Sequence, residues 1–368
     1  MNKIHIALVG GQPMPIHVGI EEFKADRLIL VHSKESKELA EGIQGRVGLP
    51  CELRLFDSVD YPQIYQATQK LLGELGQSET IINISGGTKP WTVAFVLLAQ
   101  QFPNTSIIYV DQNNVGYNFT TSESKTIDSK LDTQTILRYN NYSLGAYTNF
   151  KDLTKEDLKS AKEVEHIRKK HFNDFYELTI ANYDINKQEK GRKTLGNGSY
   201  AEWDKNTNTA IMAFNQRNGL KRHEFSSALT IPMVFNSGWF EILVAEMLSR
   251  WEKAQDVILN ATFFYSDKDP KNEIDIIVNM GNKLLFVECK TQIKQLTDLD
   301  KFATAAKKYS GMGVKMLFVT KKKMDNKAEE KCRENRIIPF SIQSGGIINP
   351  EKALFALLDN EMSNINTK

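Results

Sequence analysis

The sequence is poor in cysteine and has no long apolar run. Its 3 cysteines, Cys51, Cys289 and Cys332, stand too far apart for a disulfide framework or a thiolate metal cluster. We interpret them as reduced thiols. No stretch approaches the ~18 apolar residues that a membrane-spanning helix needs, and a strand-like run begins at Ile4 with no apolar leader before it. We therefore expect a cytoplasmic protein with no membrane partner.

The chain also lacks an excess of one charge. Its formal net charge is +2, from 47 basic and 45 acidic residues, so any basic surface must be local. What it has is ordinary globular composition, with 41% hydrophobic and 25% charged residues over 368 positions. That length favours two domains. We predict one domain over residues 1–122, a linker and helical junction over 123–180, and a second domain over 181–368.

The first ~120 residues alternate β-branched runs with amphipathic stretches, which predicts a parallel α/β sheet with right-handed crossovers. The last third has a different order of helix, three strands, helix and strand, which predicts a compact mixed α/β domain. The predicted strands of the first region are Ile4–Val9, Arg27–His32, Cys51–Phe56, Thr80–Ile84 and Ser106–Asp111.

A glycine-containing loop follows the fourth predicted strand, where Asn83–Trp91 reads NISGGTKPW. Gly86 and Gly87 allow a sharp turn and a close approach to a ligand. Ser85, Thr88 and the amides of a helix N-terminus suit phosphate oxygens, and Lys89 adds a positive charge. The GxxxxGK[ST] spacing is missing, so a triphosphate-hydrolysing P-loop is not expected. The competing interpretation is a plain turn and helix cap.

Other loops are expected at the same sheet edge, because ligands bind beyond the carboxyl ends of parallel strands. Gln12, Pro13 and Met14 follow the first predicted strand, and Ser33 follows the second. These residues join the glycine-containing loop as candidate ligand contacts.

The stretch Glu273–Gln292 reads EIDIIVNMGNKLLFVECKTQ, two strands around a Gly281-Asn282 turn. Residues two apart share a strand face, so Glu288 and Lys290 project together, and Asp275 faces the late part of the partner strand. Asp275, Glu288 and the Cys289 backbone carbonyl suit Mg²⁺ or Mn²⁺. Lys290 suits a developing negative charge.

A further carboxylate is available from the helix upstream, GWFEILVAEML. Glu241, close to the helix start, is favoured over Glu246. The alternative is an amphipathic hairpin with surface charges. Against this, an apolar run leads straight into Glu288, and burial of an acid and a lysine is costly unless they are used. The catalytic candidates are therefore Glu241, Asp275, Glu288 and Lys290.

Asp275 followed 13 positions later by Glu288-x-Lys290, behind a helix that carries Glu241, resembles the PD-(D/E)xK restriction-endonuclease-like nuclease core. The proline that often precedes the aspartate is represented here by Pro270, five positions upstream, so that part of the pattern is degenerate.

SGGTK after a strand in an N-terminal Rossmann-like domain resembles the CARF sensor domains of type III CRISPR systems. Because the chain combines such a sensor domain with such a nuclease core, it is similar to the Card/Can class of CARF nucleases. The resemblance implies a homodimer that binds cyclic tetra-adenylate, a cyclic oligoadenylate, across a two-fold axis. It also implies that Ser85, Gly86, Gly87, Thr88 and Lys89 are phosphate and ribose contacts, with Gln12–Met14 beside them.

The leading hypothesis is thus a cyclic tetra-adenylate-activated, metal-dependent endonuclease of antiviral defence, acting on DNA, RNA or both, as single strands or nicked duplex. One alternative is a CARF-type ligand-responsive regulatory protein with an inactive core. Another is a repair-type nuclease without cyclic-nucleotide control, whose N-terminal domain only mediates dimerisation.

Overall fold

A computed structural model describes residues 3–111, 114–128, 130–139, 142–264, 270–281, 283–310 and 315–363. The chain divides into two compact units. The first holds the described residues up to Leu144, with those of the short segments 281–284 and 307–314, and the second holds the rest. The predicted domain boundaries remain a prediction. Among the described helices, none is both long and apolar enough to cross a bilayer.

The first unit is built around a seven-stranded sheet with helices between the strands. Its elements are β1 (Lys3–Leu8), α1 (Pro13–Glu22), β2 (Arg27–His32), α2 (Lys37–Gln44), β3 (Cys51–Leu55), α3 (Tyr61–Leu75), β4 (Glu79–Asn83), α4 (Lys89–Ala99), β5 (Thr105–Val110), β6 (Val115–Asn118), β7 (Glu123–Thr126) and α5 (Thr133–Tyr139).

The strand order in this sheet is β3-β2-β1-β4-β5-β6-β7. The first five strands are parallel, as their alternation with helices predicts, and β6 and β7 continue the sheet antiparallel. The core strands are buried because helices cover both faces. The order reverses between β1 and β4, which makes the edge beyond these two strands the expected ligand crevice.

The polar stretch after Thr121 forms more regular structure than its composition predicts. β7 adds to the sheet edge through backbone pairing with β6, which demands little of its exposed side chains. α5 buries Ile136, Leu137 and Tyr139. Short elements of this kind are stabilised by tertiary contacts, so composition alone does not reveal them.

The second unit combines a mixed sheet, an antiparallel sheet and helices. Its elements are β8 (Thr148–Asn149), a 3₁₀ helix (Phe150–Asp152), α6 (Lys155–Lys170), α7 (Phe172–Leu178), α8 (Asp184–Lys187), β9 (Lys190–Thr194), β10 (Tyr200–Asp204), β11 (Thr209–Gln216), β12 (Gly219–Ser226), α9 (Thr230–Phe235), α10 (Gly238–Leu248), β13 (Asp256–Phe264), β14 (Pro270–Asn279), β15 (Leu284–Lys290), α11 (Thr297–Ser310), β16 (Lys315–Thr320), α12 (Asn326–Glu334), β17 (Ile337–Ser341) and α13 (Pro350–Ser363).

The six-stranded sheet of this unit has the order β17-β16-β15-β14-β13-β8. β14 and β15, the two strands predicted to carry the acids, are hydrogen-bonded neighbours in it. Half of the predicted Gly281-Asn282 turn, Asn282, lies outside the described residues. β15, β16 and β17 are parallel, so their carboxyl ends share one edge. α10 packs against β13 and β14.

A four-stranded antiparallel sheet, β12-β11-β10-β9, completes the unit. β9 and β10 form an antiparallel hairpin within the polar, glycine-bearing stretch Lys187–Lys205. β11 and β12 were not predicted, although β11 carries the buried Met212 and Phe214 of the core.

Candidate functional site

Two loops meet beyond β1 and β4 at the reversal point of the first sheet. A Cβ added to Gly10 would lie 2.6 Å from the Gly87 nitrogen, and one added to Gly86 would lie 2.3 Å from the Leu8 carbonyl oxygen. Gly87 also has φ +77°, in the left-handed region that favours glycine. We call Gly10, Gly86 and Gly87 the glycine junction. Only glycine permits the two backbones to approach this closely.

Two helices begin at the glycine junction. α1 starts at Pro13 and is preceded by Gln12 in an extended conformation, and α4 starts at Lys89, with the Thr88 hydroxyl accepting from Trp91 N. The helix N-termini carry partial positive charge, and the exposed Lys89 side chain adds a full one. Pro13, Pro15 and Pro90 have no N–H, so the donors of these first turns include those of Met14 and Lys89. Backbone N–H groups and a cation at one sheet edge suit an anionic ligand.

The other residues predicted as ligand contacts already make hydrogen bonds or packing contacts within the protein. The Ser85 hydroxyl donates to Asn83 Oδ1 at 2.5 Å and accepts from Val110 N at 2.7 Å. Ser33 is buried in a turn, where Ser33 N donates to Ser36 Oγ at 3.0 Å. Both serines lie at the predicted edge, but these hydrogen bonds hold their loops in place. Pro13 is buried and Met14 packs on the core, so their side chains are also partly used by the fold.

The second candidate site lies at the end of β15. Lys290 Nζ is 2.5 Å from Glu288 Oε1 and 3.9 Å from Asp275 Oδ2. Asp275 Oδ2 also accepts a hydrogen bond from Cys289 N at 2.7 Å. The structure thus brings Asp275, Glu288, Lys290 and the Cys289 backbone together. The bare amphipathic hairpin of the alternative interpretation is not what is seen, because both carboxylates are largely buried.

The acids of this cluster repel one another in a poorly solvated place. Burial, and then repulsion by Glu288 and Glu241, raises the pKa of Asp275 well above its usual range. Burial raises the pKa of Glu288, although Lys290 opposes this. Burial alone would lower the pKa of Lys290, but attraction by Asp275, Glu288 and Glu241 reverses that and raises it. The cluster therefore carries more acidic groups than one lysine neutralises.

Glu241 belongs to this cluster and Glu246 does not. Burial raises the pKa of Glu241 to about 7, with Lys290 opposing and with Glu273 and Glu288 contributing repulsion. Glu246 instead pairs with Lys162 at 2.8 Å. Position in α10 decides the difference, because the first turn faces the hairpin.

Glu273 also lies close to this cluster, although it was not predicted as a site residue. It stands two residues before Asp275 on β14 and therefore shares its face. Its charge contributes to the raised pKa of Glu241 and of Glu288. The E-I-D alternation was the available signal.

The donor set fits a hard divalent cation. Asp275, Glu288 and the Cys289 carbonyl are oxygen donors, and Mg²⁺ is commonly held by one or two carboxylates together with substrate phosphates. Within the ranges that the structure describes, no group of three or more His, Cys, Asp or Glu side chains is already arranged around an ion position. Lys290 lies between the carboxylates instead, in the ion pairs given above.

Residues 4–136 match the Card1 CARF domain. The CARF domain thus covers the whole first sheet, including both loops of the junction. A second family model, a domain of unknown function (DUF4143), matches residues 237–342, from the start of α10 through β17. No curated protein matches the chain in sequence.

Solved structures share the fold over nearly the whole chain. Can2 from Sulfobacillus thermosulfidooxidans, solved in complex with cyclic tetra-adenylate, has a TM-score of 0.71 at 19% identity, over 97% of this chain and 98% of its own. Protein VC1899 from Vibrio cholerae has a TM-score of 0.72 at 13% identity, over 98% and 97%.

A type III CRISPR defence DNA nuclease activated by cyclic oligoadenylate has a TM-score of 0.60 at 13% identity, over 100% of this chain and 52% of its own. The predicted resemblance and fold class are confirmed: a Rossmann-like CARF domain is joined to a mixed α/β domain, in the architecture of Can2.

Proposed function

We propose that this protein is an endonuclease switched on by cyclic tetra-adenylate and dependent on Mg²⁺ or Mn²⁺. One observation carries the proposal: a CARF domain with an anion-suited glycine junction shares a chain with the buried Asp275, Glu288 and Lys290 cluster. Solved structures of this fold include a complex with cyclic tetra-adenylate and a nuclease activated by cyclic oligoadenylate.

The CARF domain would bind the activator at the glycine junction. The backbone N–H groups of Met14 at the start of α1 and Lys89 at the start of α4, with the Thr88 hydroxyl, would donate to phosphate oxygens, and the Lys89 side chain would offset charge. Gln12 stands at the start of α1, beside the junction, where its amide suits a ribose or base edge. Ser85 and Ser33 would act by holding these loops in position, given the hydrogen bonds that they already make.

The active form would be a homodimer. Val93 and Leu97 are exposed apolar residues one turn apart on α4, the helix that begins at the junction. Leu55 and Val59, also exposed, belong to the same domain. Burial of this apolar surface against a second copy is favourable. Pairing along α4 would place two glycine junctions close to one another, which suits a cyclic ligand.

Cleavage would take place at the end of β15. A bound Mg²⁺ or Mn²⁺, held by Asp275, Glu288 and the Cys289 carbonyl, would lower the pKa of water and offset phosphate charge. Lys290, already fixed by its two ion pairs, would orient the attacking water or stabilise the charge of the transition state. Glu241, whose pKa of about 7 lies near neutrality, is suited to accept a proton.

Control by the activator requires that the ligand bind the active arrangement better than the resting one. The test is cleavage of labelled single-stranded and duplex DNA and RNA, with and without cyclic tetra-adenylate, in Mg²⁺, Mn²⁺ or EDTA. We expect cleavage only with both activator and metal. Cleavage independent of activator would favour a repair-type nuclease. Activator binding without cleavage of any substrate would favour a regulatory protein.

A further inference from the structure

The corner between α6 and α7 exposes an aromatic ring. The predicted helical junction contains two helices here, because the chain breaks at His171, which ends α6 and precedes α7. His171 stacks on Phe214, with centroids 4.5 Å apart and planes 8° apart, so the break is fixed by packing. The next residue, Phe172, is 46% exposed.

Cations surround this ring. The Arg168 guanidinium lies 5.4 Å from the Phe172 centroid and 5.4 Å from that of Trp239, which is 1% exposed. Lys322 Nζ lies 6.0 Å from the Phe172 centroid. We call Arg168, Phe172 and Lys322 the Phe172 corner. Each cation is within the range of a cation–π contact, so the ring and the charges are held as one surface.

The Phe172 corner is joined to the catalytic strand by hydrogen bonds. Lys321 N donates to Lys290 O at 3.2 Å, and Lys322 N donates to Thr291 O at 3.1 Å. Lys322 Nζ also donates to Gln292 Oε1 at 3.0 Å. The segment after β16 therefore runs directly beside the chain that follows Lys290.

The neighbouring charges leave the corner positive. Glu165 is paired with Lys321 at 2.8 Å and with Lys169 at 3.4 Å. Asp174 accepts from Asn197 and Ser199. Among the described residues, neither Arg168 nor Lys322 forms a salt bridge with a carboxylate. The net charge of +2 means that any basic surface must be local. The Phe172 corner is such a surface, and it lies beside the end of β15.

We propose that the Phe172 corner binds the substrate strand beside the cleavage site, as a stacking platform for one unpaired base. Arg168 and Lys322 contact the adjoining phosphates. The inference rests on the proposed nuclease function and narrows its substrate to single-stranded nucleic acid. A partly exposed aromatic ring together with neighbouring cations is a usual way in which proteins bind single strands without reading sequence. A paired base in a duplex does not offer its face to such a ring.

The experiment measures binding and cleavage by the full-length protein. Fluorescence anisotropy in EDTA with cyclic tetra-adenylate would follow labelled single-stranded DNA, single-stranded RNA and a duplex of equal length. Steady-state cleavage in Mn²⁺ would give kcat and KM separately. The variants are Phe172→Ala, Phe172→Leu, Phe172→Trp and Lys322→Gln. Tyr183→Ala is the control, because Tyr183 is a 77% exposed aromatic residue of the same unit.

For single strands, we expect Phe172→Ala and Phe172→Leu to raise Kd and KM about tenfold, the loss typical of one stacked base, with kcat within about twofold. Phe172→Trp should restore binding. Lys322→Gln should reduce the slope of log Kd against log salt by about 0.7, the value for one phosphate of a single strand. Tyr183→Ala should match the wild type.

Two results would overturn the inference alone, with the wild type still cutting in an activator-dependent way. One is single-strand binding by Phe172→Leu equal to that of the wild type. The other is equal weakening of duplex and single-strand binding. A wild type that binds and cuts no nucleic acid would overturn the proposed function as well. Phe172→Leu keeps apolar bulk without an aromatic face, so it separates stacking from folding should Phe172→Ala unfold.

Discussion

The glycine junction and the acidic cluster are two candidate sites built on opposite principles. At the junction the working groups are backbone amides, and the residues that shape it, Gly10, Gly86 and Gly87, contribute only the absence of a side chain. At the end of β15 the working groups are buried ionisable side chains whose pKa values are shifted by one another. At the junction an anion would be bound mainly by preformed backbone donors, with one cation beside them, whereas hydrolysis at β15 would use ionisable groups whose burial is costly.

The largest effect, on cleavage, is expected when a side chain of the acidic cluster is removed and the glycine junction is left intact. Glu288→Ala or Lys290→Ala should lower kcat by about 10²–10³-fold or more, because the first removes a proposed metal ligand and the second removes a positive charge aimed at the transition state. Cyclic tetra-adenylate affinity, measured by calorimetry, should stay within about twofold, since the glycine junction is untouched. Glu246→Ala, which removes an acid of the same unit engaged in a surface ion pair, is the matched control.

Cleavage by Glu288→Ala at the wild-type rate would show that the catalytic assignment is wrong. A large loss of activator affinity in the same variant would show that the two sites are not separable.

The second prediction alters the glycine junction and leaves the acidic cluster intact. Gly86→Ala places a Cβ 2.3 Å from the Leu8 carbonyl oxygen, so the loops must move apart. We expect activator affinity to fall by about 100-fold or more, since ordered contacts are lost together. Gly48→Ala is the control, because an added Cβ there meets nothing within 4 Å.

Circular dichroism should show that the Gly86→Ala chain remains folded. Normal activator affinity in this variant would contradict the role given to the junction.

A smaller loss is expected from Lys89→Ala. This substitution removes the only full charge proposed for the junction and should weaken activator binding by about two- to fivefold, the typical worth of one exposed ionic contact. The weakening should shrink as salt is raised, because the contact is screened. Lys70→Ala, at an exposed position of α3, should leave affinity unchanged at every salt concentration. Equal losses of affinity in the two variants would show that Lys89 acts only through the overall charge of the protein and makes no specific contact with the activator.

The smallest effect concerns stability against pH. The folded pKa of Glu241, about 7, exceeds its usual 4.5, so the native state binds more protons than the unfolded state between these values. Its contribution to stability is therefore fully present below pH 4.5 and is lost as pH rises through 7. In EDTA, Glu241→Gln should melt a few degrees higher than the wild type at pH 8 and show no such gain at pH 4.

Glu246→Gln serves as the control from the same helix, and it should show no gain at pH 8. A higher melting temperature for Glu241→Gln at both pH values would show that titration of Glu241 is not the cause.

Much of both regions follows from local pattern. The parallel strands, the SGGTK loop and the spacing of Asp275 and Glu288-x-Lys290 were all predicted, because side-chain alternation and turn residues act over a few positions. Elements stabilised mainly by tertiary contact were missed, such as β11 and β12 in the antiparallel sheet. The break at His171 was also missed, since it depends on stacking against a distant phenylalanine.

By itself the sequence determined the types of most elements, the fold class and the residues proposed here for recognition and hydrolysis. Only the tertiary structure decided which of those residues meet. It showed that the Ser85 hydroxyl is hydrogen-bonded within the first unit and that Glu241 and Glu273 lie near the acidic cluster. It also showed that Phe172 is partly exposed beside two cations. The physical reason is range: periodicity fixes which face a side chain takes, whereas sheet order and burial fix its neighbours from distant segments.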